Sequence, residues 1–308
     1  MKIAVVILNW NGKDYVLDCL ESVEKLNTAG MKMEIIVVDN GSTDGSLEII
    51  QKLKIKNQNN NSKLKIVKNN KNLGFTGGNN VGIKYALENG ADYIILLNSD
   101  TIVDKDLIIQ LIEVAKSDSR IGIVGPKIYF APGREYHQDW YSQKERGKVF
   151  WYAGGIIDWN NILLFHRGVD EVDQGQYDKQ IETDFVSGCC LLVKKKVFEK
   201  IGLLDDRYFL YLEDADFCQR AKRAGYKVIY TPKAALWHLN AGSSLVGGDL
   251  HDYFITRNRL LFGMKYAKLR TKIALLKEGV KILAKGRKWQ KIGIRDFYLN
   301  RFGKGSWQ

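Results

Sequence analysis

Short apolar runs recur along the first 125 residues at Ile3–Leu8, Glu34–Val38, Leu64–Val67 and Tyr93–Leu97. Runs of this kind suit central parallel strands, because helices cover both faces of such a sheet. Between them lie helical candidates near 14–27, 44–54, 78–89 and 104–117. The alternation predicts a doubly wound α/β sheet, whose ligands sit beyond the carboxyl ends of the strands. Asn9 with Asn11, Asp39, and Asn98 with Asp100 fall at those ends. Further along, 131–150 reads as a mobile, lid-like loop, 150–166 as a hairpin, 184–193 and 227–231 as strands, and 213–224 as a helix. Segment 55–72, crowded with Asn and Lys, reads as solvated apart from its strand. The last 50 residues read as helical and basic. No internal repeat or Pro/Gly/Ser linker appears, so one main domain with a C-terminal extension is expected.

The 308 residues, 45% of them hydrophobic, are enough for a sizeable core and too apolar for a disordered chain. No apolar run approaches the ~18–20 residues of a spanning helix, so an integral membrane protein is not expected. The run after Met1-Lys2 ends at Leu8, too soon for a signal peptide. Cys19, Cys189, Cys190 and Cys218 lack metal-ligand spacing and read as reduced core residues of a cytoplasmic protein, which makes the sequons at Asn40 and Asn60 chance matches. Charge changes the picture more. Residues 251–308 hold 15 Lys+Arg against 3 Asp+Glu, a surplus equal to the whole net charge of +12. A neutral body with a basic end suggests an enzyme that docks on something anionic, and no recognisable module supports nucleic-acid binding.

Each candidate segment has a plain structural reading and a chemical one. Asp39-Asn-Gly-Ser-Thr-Asp-Gly45 is a turn with a helix cap, or it places Asp39 against a nucleotide's ribose or base. Asn72 to Gly82 is a glycine-rich turn, or a close backbone approach to a ligand at a helix start. The dinucleotide fingerprint is absent after the first strand, which disfavours NAD. Asp100 caps the helix near 104, or shares Mg²⁺ or Mn²⁺ with a diphosphate. Glu213, Asp214 and Asp216 open a helix, where the macrodipole favours negative charge and would keep a general base ionised. His238, beside Trp237, is a packed core residue unless it converges with Asp100.

In order, these segments resemble the family-2 inverting glycosyltransferases of the GT-A fold, and within them the rhamnosyltransferase-like subgroup that builds O-antigen, capsule and cell-wall linkage sugars. The resemblance rests on Ile7-Leu-Asn-Trp-Asn11, Val37-Val-Asp-Asn-Gly-Ser-Thr-Asp44, Asn72-Leu-Gly-Phe75 with Asn79, Asn80 and Gly82, and Leu96-Leu-Asn-Ser-Asp100. It continues through Ser187-Gly-Cys-Cys-Leu-Leu192, Gly202-Leu-Leu-Asp205, Tyr208 to Asp216, Arg220, Gly225-Tyr226, Pro232, His238, Tyr253 and Arg257-Asn258. It implies a Rossmann-like, mostly parallel sheet in a catalytic domain over 1–262, with a nucleotide-binding half (1–125), an acceptor half (126–262) and a basic helical extension (263–308). It also implies roles. Asp39 would contact the base or ribose, with Asn9, Gly74, Phe75 and Asn80 shaping that pocket. Asp100 would ligate Mg²⁺ or Mn²⁺ on the donor diphosphate, with Asn98 where the motif's first carboxylate would stand. Asp214 would deprotonate the acceptor, and His238 would complete metal or diphosphate binding. Arg220 is left between a structural and a phosphate-contacting role. The implied partners are a nucleoside-diphosphate sugar, L-rhamnose as the leading sugar, and a polyprenyl-diphosphate-linked or glycan acceptor. A sugar nucleotidyltransferase and a non-catalytic glycan-binding protein remain as alternatives.

In the basic end, Leu269, Ile273, Leu276, Val280 and Leu283 repeat at four-three spacing, one apolar stripe on a helix crowded with Lys and Arg. The stripe either packs on the catalytic domain or meets an anionic membrane surface at the inner face of the cell membrane.

Overall fold

The computed structural model describes residues 1–56, 63–239 and 247–307. The N-terminal half alternates as the pattern requires: β1 (Lys2–Asn9), α1 (Val16–Glu24), β2 (Lys32–Asp39), α2 (Ser46–Lys56), β3 (Lys63–Lys68), α3 (Gly74–Glu88), β4 (Tyr93–Asn98), β5 (Thr101–Val103), α4 (Leu107–Ser117) and β6 (Ile121–Phe130). Then follow β7 (Phe150–Tyr152), β8 (Gly155–Asp158), β9 (Leu163–His166), β10 (Ile181–Glu182), β11 (Cys190–Lys194), α5 (Lys195–Ile201), α6 (Glu213–Arg223) and β12 (Lys227–His238). The chain ends in α7 (Asp249–Tyr266), α8 (Leu269–Lys285) and α9 (Lys288–Tyr298).

The main sheet runs β10-β12-β6-β11-β4-β1-β2-β3, with β5 beside β12 and β7 beside β6. β4, β1, β2 and β3 are parallel, which sends their carboxyl ends to one edge. β11 is antiparallel to both β4 and β6. The apolar runs occupy the core as expected: Ile3–Ile7, Ile35–Val38 and Ile94–Leu97 are almost wholly buried.

The glycine-rich segment is helical from Gly74 onward, not from about 78. A Cβ at Gly82 would collide with Val6 and stand 3.0 Å from Val38 Cγ2; one at Gly78 would collide with Leu8. These glycines therefore let α3 lie close on β1 and β2.

Four further expectations shift. The predicted strand 184–193 is irregular until Cys190, because the Gly188 N–H and Cys189 carbonyl bond outside the ladder. The 150–166 region divides: β7 joins the main sheet and only β8–β9 form a separate hairpin. The strand expected at 227–231 runs on to His238, with a register irregularity around Pro232, which has no N–H to give. Segment 131–150 is tied down: Tyr141 is buried and donates to the Asp170 carbonyl (2.7 Å), Glu135 Oε1 accepts from Gly147 N (3.1 Å), and Trp237 Nε1 donates to the Gly147 carbonyl (2.9 Å).

The four cysteines are buried free thiols, and burial raises that of Cys19 to about 12. Asn40 is buried and bonded to Asn72, Asn69 and Leu73, so its sequon is inaccessible, whereas Asn60 lies outside the described residues. The boundary expected at 262 falls inside α7. α9 and the following turn return to α7, where Asp296 accepts from the Tyr253 hydroxyl (2.6 Å) and the Gly303 carbonyl accepts from Arg257 (2.7 Å). α8 buries Thr271, Leu275 and Gly279, leaving Leu269, Ile273, Val280 and Leu283 exposed. The helix packs on the chain as one alternative expected, but by its other face, leaving these stripe residues outward.

If close α3 packing holds this edge together, Gly82→Val lowers stability by about 1–3 kcal/mol, through overpacking against Val6. Urea unfolding monitored by circular dichroism checks this; an unchanged midpoint would mean the helix can lift away freely.

Candidate active site

Asn9 and Asp39 are register partners at the ends of β1 and β2. Asn9 is buried, and its Nδ2 donates to Asp39 Oδ1 (3.2 Å), Ser42 Oγ (3.1 Å) and Ser46 Oγ (2.9 Å). Ser42 N donates to the other Asp39 oxygen at 3.3 Å. Asn9 is thus a clip that fixes the Asp39 carboxylate and the turn after β2. Asp44 supports the same turn, accepting from Ser46 N (2.9 Å) and Lys13 N (2.8 Å), and these bonds hold its pKa below the usual carboxylate value against the opposing effect of burial.

The other residues expected around a nucleotide divide. Gly74 adopts φ +76°, and a Cβ there would stand 2.5 Å from the Phe209 carbonyl oxygen. Asn80 donates to the Leu204 carbonyl (3.0 Å) and Asp206 Oδ1 (2.7 Å) and accepts from Leu204 N (3.1 Å). Asn80 is therefore a clamp between α3 and the 204–206 turn, with both amide protons given to protein acceptors. The Phe75 ring lies against Gly188, where a Cβ would stand 2.9 Å from Phe75 Cζ.

Asp214, at the second position of α6, accepts from Gly188 N (2.8 Å) and Ala215 N (2.7 Å). The next carbonyl after Gly188, that of Cys189, accepts from Asn98 N at 2.9 Å. Loop 187–189 therefore joins Asp214 to the end of β4, two residues before Asp100. Asp100 Oδ2 lies 3.2 Å from His238 Nε2. Asp100 and His238 converge directly, and Asp214 joins them through this loop. The last part of segment 237–244, from 240, lies outside the described residues.

Burial raises the pKa of Asp214, against the pull of its two backbone donors, so burial acts against the expected influence of the helix start. Burial and the adjacent Asp214 charge push Glu213 well above its ordinary value, and its Oε2 has no partner among the described residues. Burial thus disfavours the charge on both carboxyls, and at Asp214 the Gly188 and Ala215 N–H groups oppose it.

Asp216 and Arg220 are structural. Asp216 is fully buried and accepts from Arg220 Nε (2.8 Å), Lys265 Nζ (2.6 Å) and the Tyr266 hydroxyl (2.8 Å), joining α6 to α7. The other Arg220 nitrogens donate to the Ile201 and Leu203 carbonyls, both at 2.7 Å.

Sequence reasoning missed what stands behind His238. The Trp151 ring lies 4.6 Å from it and His166 lies 4.4 Å beyond, its pKa lowered by burial to about 4. Only the aromatic density of 150–166 hinted at this backing. It also missed the hold on the turn before Asp214. Phe209, Tyr211 and Leu212 have φ of +66°, +70° and +68°. Asn258 Nδ2 donates to the carbonyls of Tyr208 (2.9 Å), Leu210 (2.8 Å) and Tyr211 (3.0 Å), and buried Arg257 donates to Tyr208 (2.9 Å).

Among the described residues no group of three or more His, Cys, Asp or Glu could hold a metal ion by itself. Asp100 Oδ2 and His238 Nε2 supply one oxygen and one nitrogen, and His238 Nδ1 is buried without a partner among the described residues. That donor pair fits a cation whose other ligands come from a diphosphate and water.

The family model described as Glycosyl transferase family 2 matches residues 4–202, well over half of the chain. The chain belongs to glycosyl transferase family 2. It is a glycosyltransferase, which sets aside the nucleotidyltransferase and non-catalytic alternatives. It is similar to the low-salt glycan biosynthesis hexosyltransferase Agl10 of Haloferax volcanii, 23% identical over 73% of this chain and 63% of that one. It is also similar to the N-acetylglucosaminyl-diphospho-decaprenol L-rhamnosyltransferase of Mycobacterium tuberculosis, 26% identical over 69% of this chain and 68% of that one. The chain thus spans about two thirds of the length of these relatives. Among solved structures, TarS 1–349 of Staphylococcus aureus with UDP-GlcNAc superposes with a TM-score of 0.59 at 16% identity, covering 96% of this chain and 79% of that one. The mannosyltransferase PcManGT of Pyrobaculum calidifontis, with GDP-Man and Mn²⁺, gives 0.58 at 13% identity over 99% and 87%. The family-2 chain therefore has the GT-A fold.

Removing the Asn258 amide takes the side-chain donor from the Leu210 and Tyr211 carbonyls and leaves that of Tyr208 to Arg257 alone, so Asn258→Ala costs roughly 2–4 kcal/mol of stability. It also lowers kcat more than it weakens donor binding. Unfolding titrations beside donor-binding calorimetry check the split; equal losses in both would assign Asn258 a general folding role.

Proposed function

We propose that this glycosyltransferase inverts the anomeric centre, moving a sugar in one displacement from a nucleoside-diphosphate donor to a hydroxyl of a polyprenyl-diphosphate-linked or growing cell-surface glycan. The observation that carries the reading is the bridge at 187–189, which links the Asp214 carboxylate on one side to Asn98, and through it to the Asp100–His238 pair, on the other. A single displacement needs a base on the acceptor side and stabilisation of the leaving group opposite it.

Asp214 takes the proton of the acceptor hydroxyl as its oxygen bonds to the anomeric carbon. The bond from that carbon to the diphosphate oxygen breaks with its electron pair, and the nucleoside diphosphate leaves. The transition state has oxocarbenium character. Gly188 and Ala215 N–H orient the base, while Asp39, fixed by Asn9, meets the ribose or base of the donor. Asp100 and His238 would hold Mg²⁺ or Mn²⁺, which supplies positive charge to the departing diphosphate when bound. The names of the mycobacterial and archaeal relatives support a hexosyl donor, L-rhamnose first, and a lipid-linked acceptor. An acceptor of that kind places the work at the cytoplasmic face of the cell membrane. An anionic bilayer, and not a nucleic acid, is the partner for the basic C-terminal region.

Asp214→Asn should lower kcat by about 10²–10⁴ while donor Kd stays within about twofold. Parental turnover in that variant would remove the base assignment. Because burial raises the Asp214 pKa, kcat/KM should fall with decreasing pH at an acid limb above the ordinary Asp value of about 3.9, as the base gains its proton. A limb at or below that value contradicts the buried setting. Chelation by EDTA should suppress transfer, with Mg²⁺ or Mn²⁺ restoring it; full activity in chelator would leave Asp100 and His238 without a metal to hold.

A further inference from the structure

Two unpartnered apolar surfaces lie on neighbouring elements. On α8, Leu269 is 73% and Val280 61% exposed, with Ile273 and Leu283 also exposed. At 100° per residue these four, with Leu276, fall within one band about 80° wide. Arg270, Lys277, Lys281 and Lys285 line one flank of the band and Lys272 the other. The helix is held by its opposite face, where Leu275 meets Gly263 of α7.

The second surface is the β8–β9 hairpin. Ile156 and Phe165 are register partners, and both are exposed together with Leu163, Phe165 by 50%. The other face of the hairpin carries His166, whose ring meets Trp151, which in turn meets His238. One strand layer therefore separates the exposed apolar face from the aromatic backing of the candidate site.

Arg259 on α7 holds the hairpin turn beside α8, through the face of that helix opposite its apolar band. Its guanidinium donates to the Asn161 carbonyl (2.6 Å) at the hairpin turn and to Glu278 Oε1 (2.8 Å) on α8. Ile162 of the turn approaches the same Gly263 that receives Leu275.

We infer that the outward face of α8 and the exposed face of the β8–β9 hairpin form one docking surface for an anionic lipid bilayer. Resting on the reading above, this deepens it by naming where the membrane meets the chain. Charge complementarity selects the occupant: the 15 Lys+Arg against 3 Asp+Glu of residues 251–308 give this end alone a strong positive field, suited to anionic headgroups. An apolar band flanked by cations is the pattern of a helix lying in the interface, apolar side chains down and ammonium groups at headgroup level. No described helix is long and apolar enough to cross a membrane, so the contact would be peripheral.

Flotation of the full chain with vesicles tests this. Wild type should bind vesicles of equal phosphatidylglycerol and phosphatidylcholine at low salt, at least tenfold more than pure phosphatidylcholine vesicles. Ile273→Glu with Val280→Glu should lower binding at least tenfold, and Phe165→Glu should lower it too. These side chains are exposed, so unchanged thermal melts are expected and exclude misfolding. No binding by wild type, or variants binding like wild type, overturns the inference. So does a dimer in sedimentation that these substitutions dissociate, because a second copy would then cover the face. Donor binding by calorimetry keeps the two claims apart: loss of vesicle binding with donor binding intact leaves the transfer reading standing, and absence of donor binding in wild type removes that reading instead.

Discussion

The site depends on a turn that cannot hold itself. Three residues without glycine's freedom, Phe209, Tyr211 and Leu212, adopt left-handed backbone just before the helix that carries Asp214. Such conformations cost of order 1–3 kcal/mol each and persist only where surroundings impose them. The surroundings here are Asn258 and Arg257 on α7, which between them take the carbonyls of Arg207, Tyr208, Leu210 and Tyr211. Asp216 with Lys265 and Tyr266 fixes the other side of the same junction. The carboxylate is therefore placed by a helix about 45 residues downstream, and α7 is part of the machinery, not an appendage to it.

On the opposite side, sheet topology does the placing. Parallel β1, β2 and β4 bring Asn9, Asp39 and Asn98 to one edge, and the return of β11 antiparallel to β4 carries loop 187–189 across that edge. Gly188 is required there because Phe75 fills the space a side chain would need. The glycine thus serves two purposes: its N–H aims Asp214, and its missing Cβ lets α3 close beneath the loop.

The fold and the anchors of the site were legible in sequence wherever a local pattern maps onto one physical cause. Apolar runs became central strands because both faces are covered, and the acidic cluster at 213–216 opened a helix as charge at a helix start should. Asn80, Gly74 and Arg220 were harder, because an amide, a glycine or a guanidinium serves a backbone carbonyl as readily as a ligand. Only partners more than 15 residues away reveal which it is. Loop 131–150 looked mobile because its anchors, Asp170 and Trp237, lie far along the chain. The α8 stripe was read correctly as a stripe, yet periodicity alone does not say which way a helix faces. Leu275 fits over Gly263 of α7 while Gly279 admits Ile294 and Tyr298 of α9, and the leucine-rich face is left outward.

The division of labour within Glu213-Asp214 follows from hydrogen bonding, not from residue type. Both carboxyls lie where burial disfavours charge, and two adjacent negative charges there would repel. Asp214 has two backbone N–H donors, and each stabilises the ionised form more than the neutral one. Glu213 Oε2 has none among the described residues, and burial with the neighbouring Asp214 charge pushes Glu213 well above its ordinary value. Burial raises the basicity of Asp214 while its two backbone donors favour the ionised form, the combination that suits the proposed general base. The sequence places two carboxyls side by side; the Gly188 N–H, donated from a loop 26 residues upstream, distinguishes Asp214 from its neighbour.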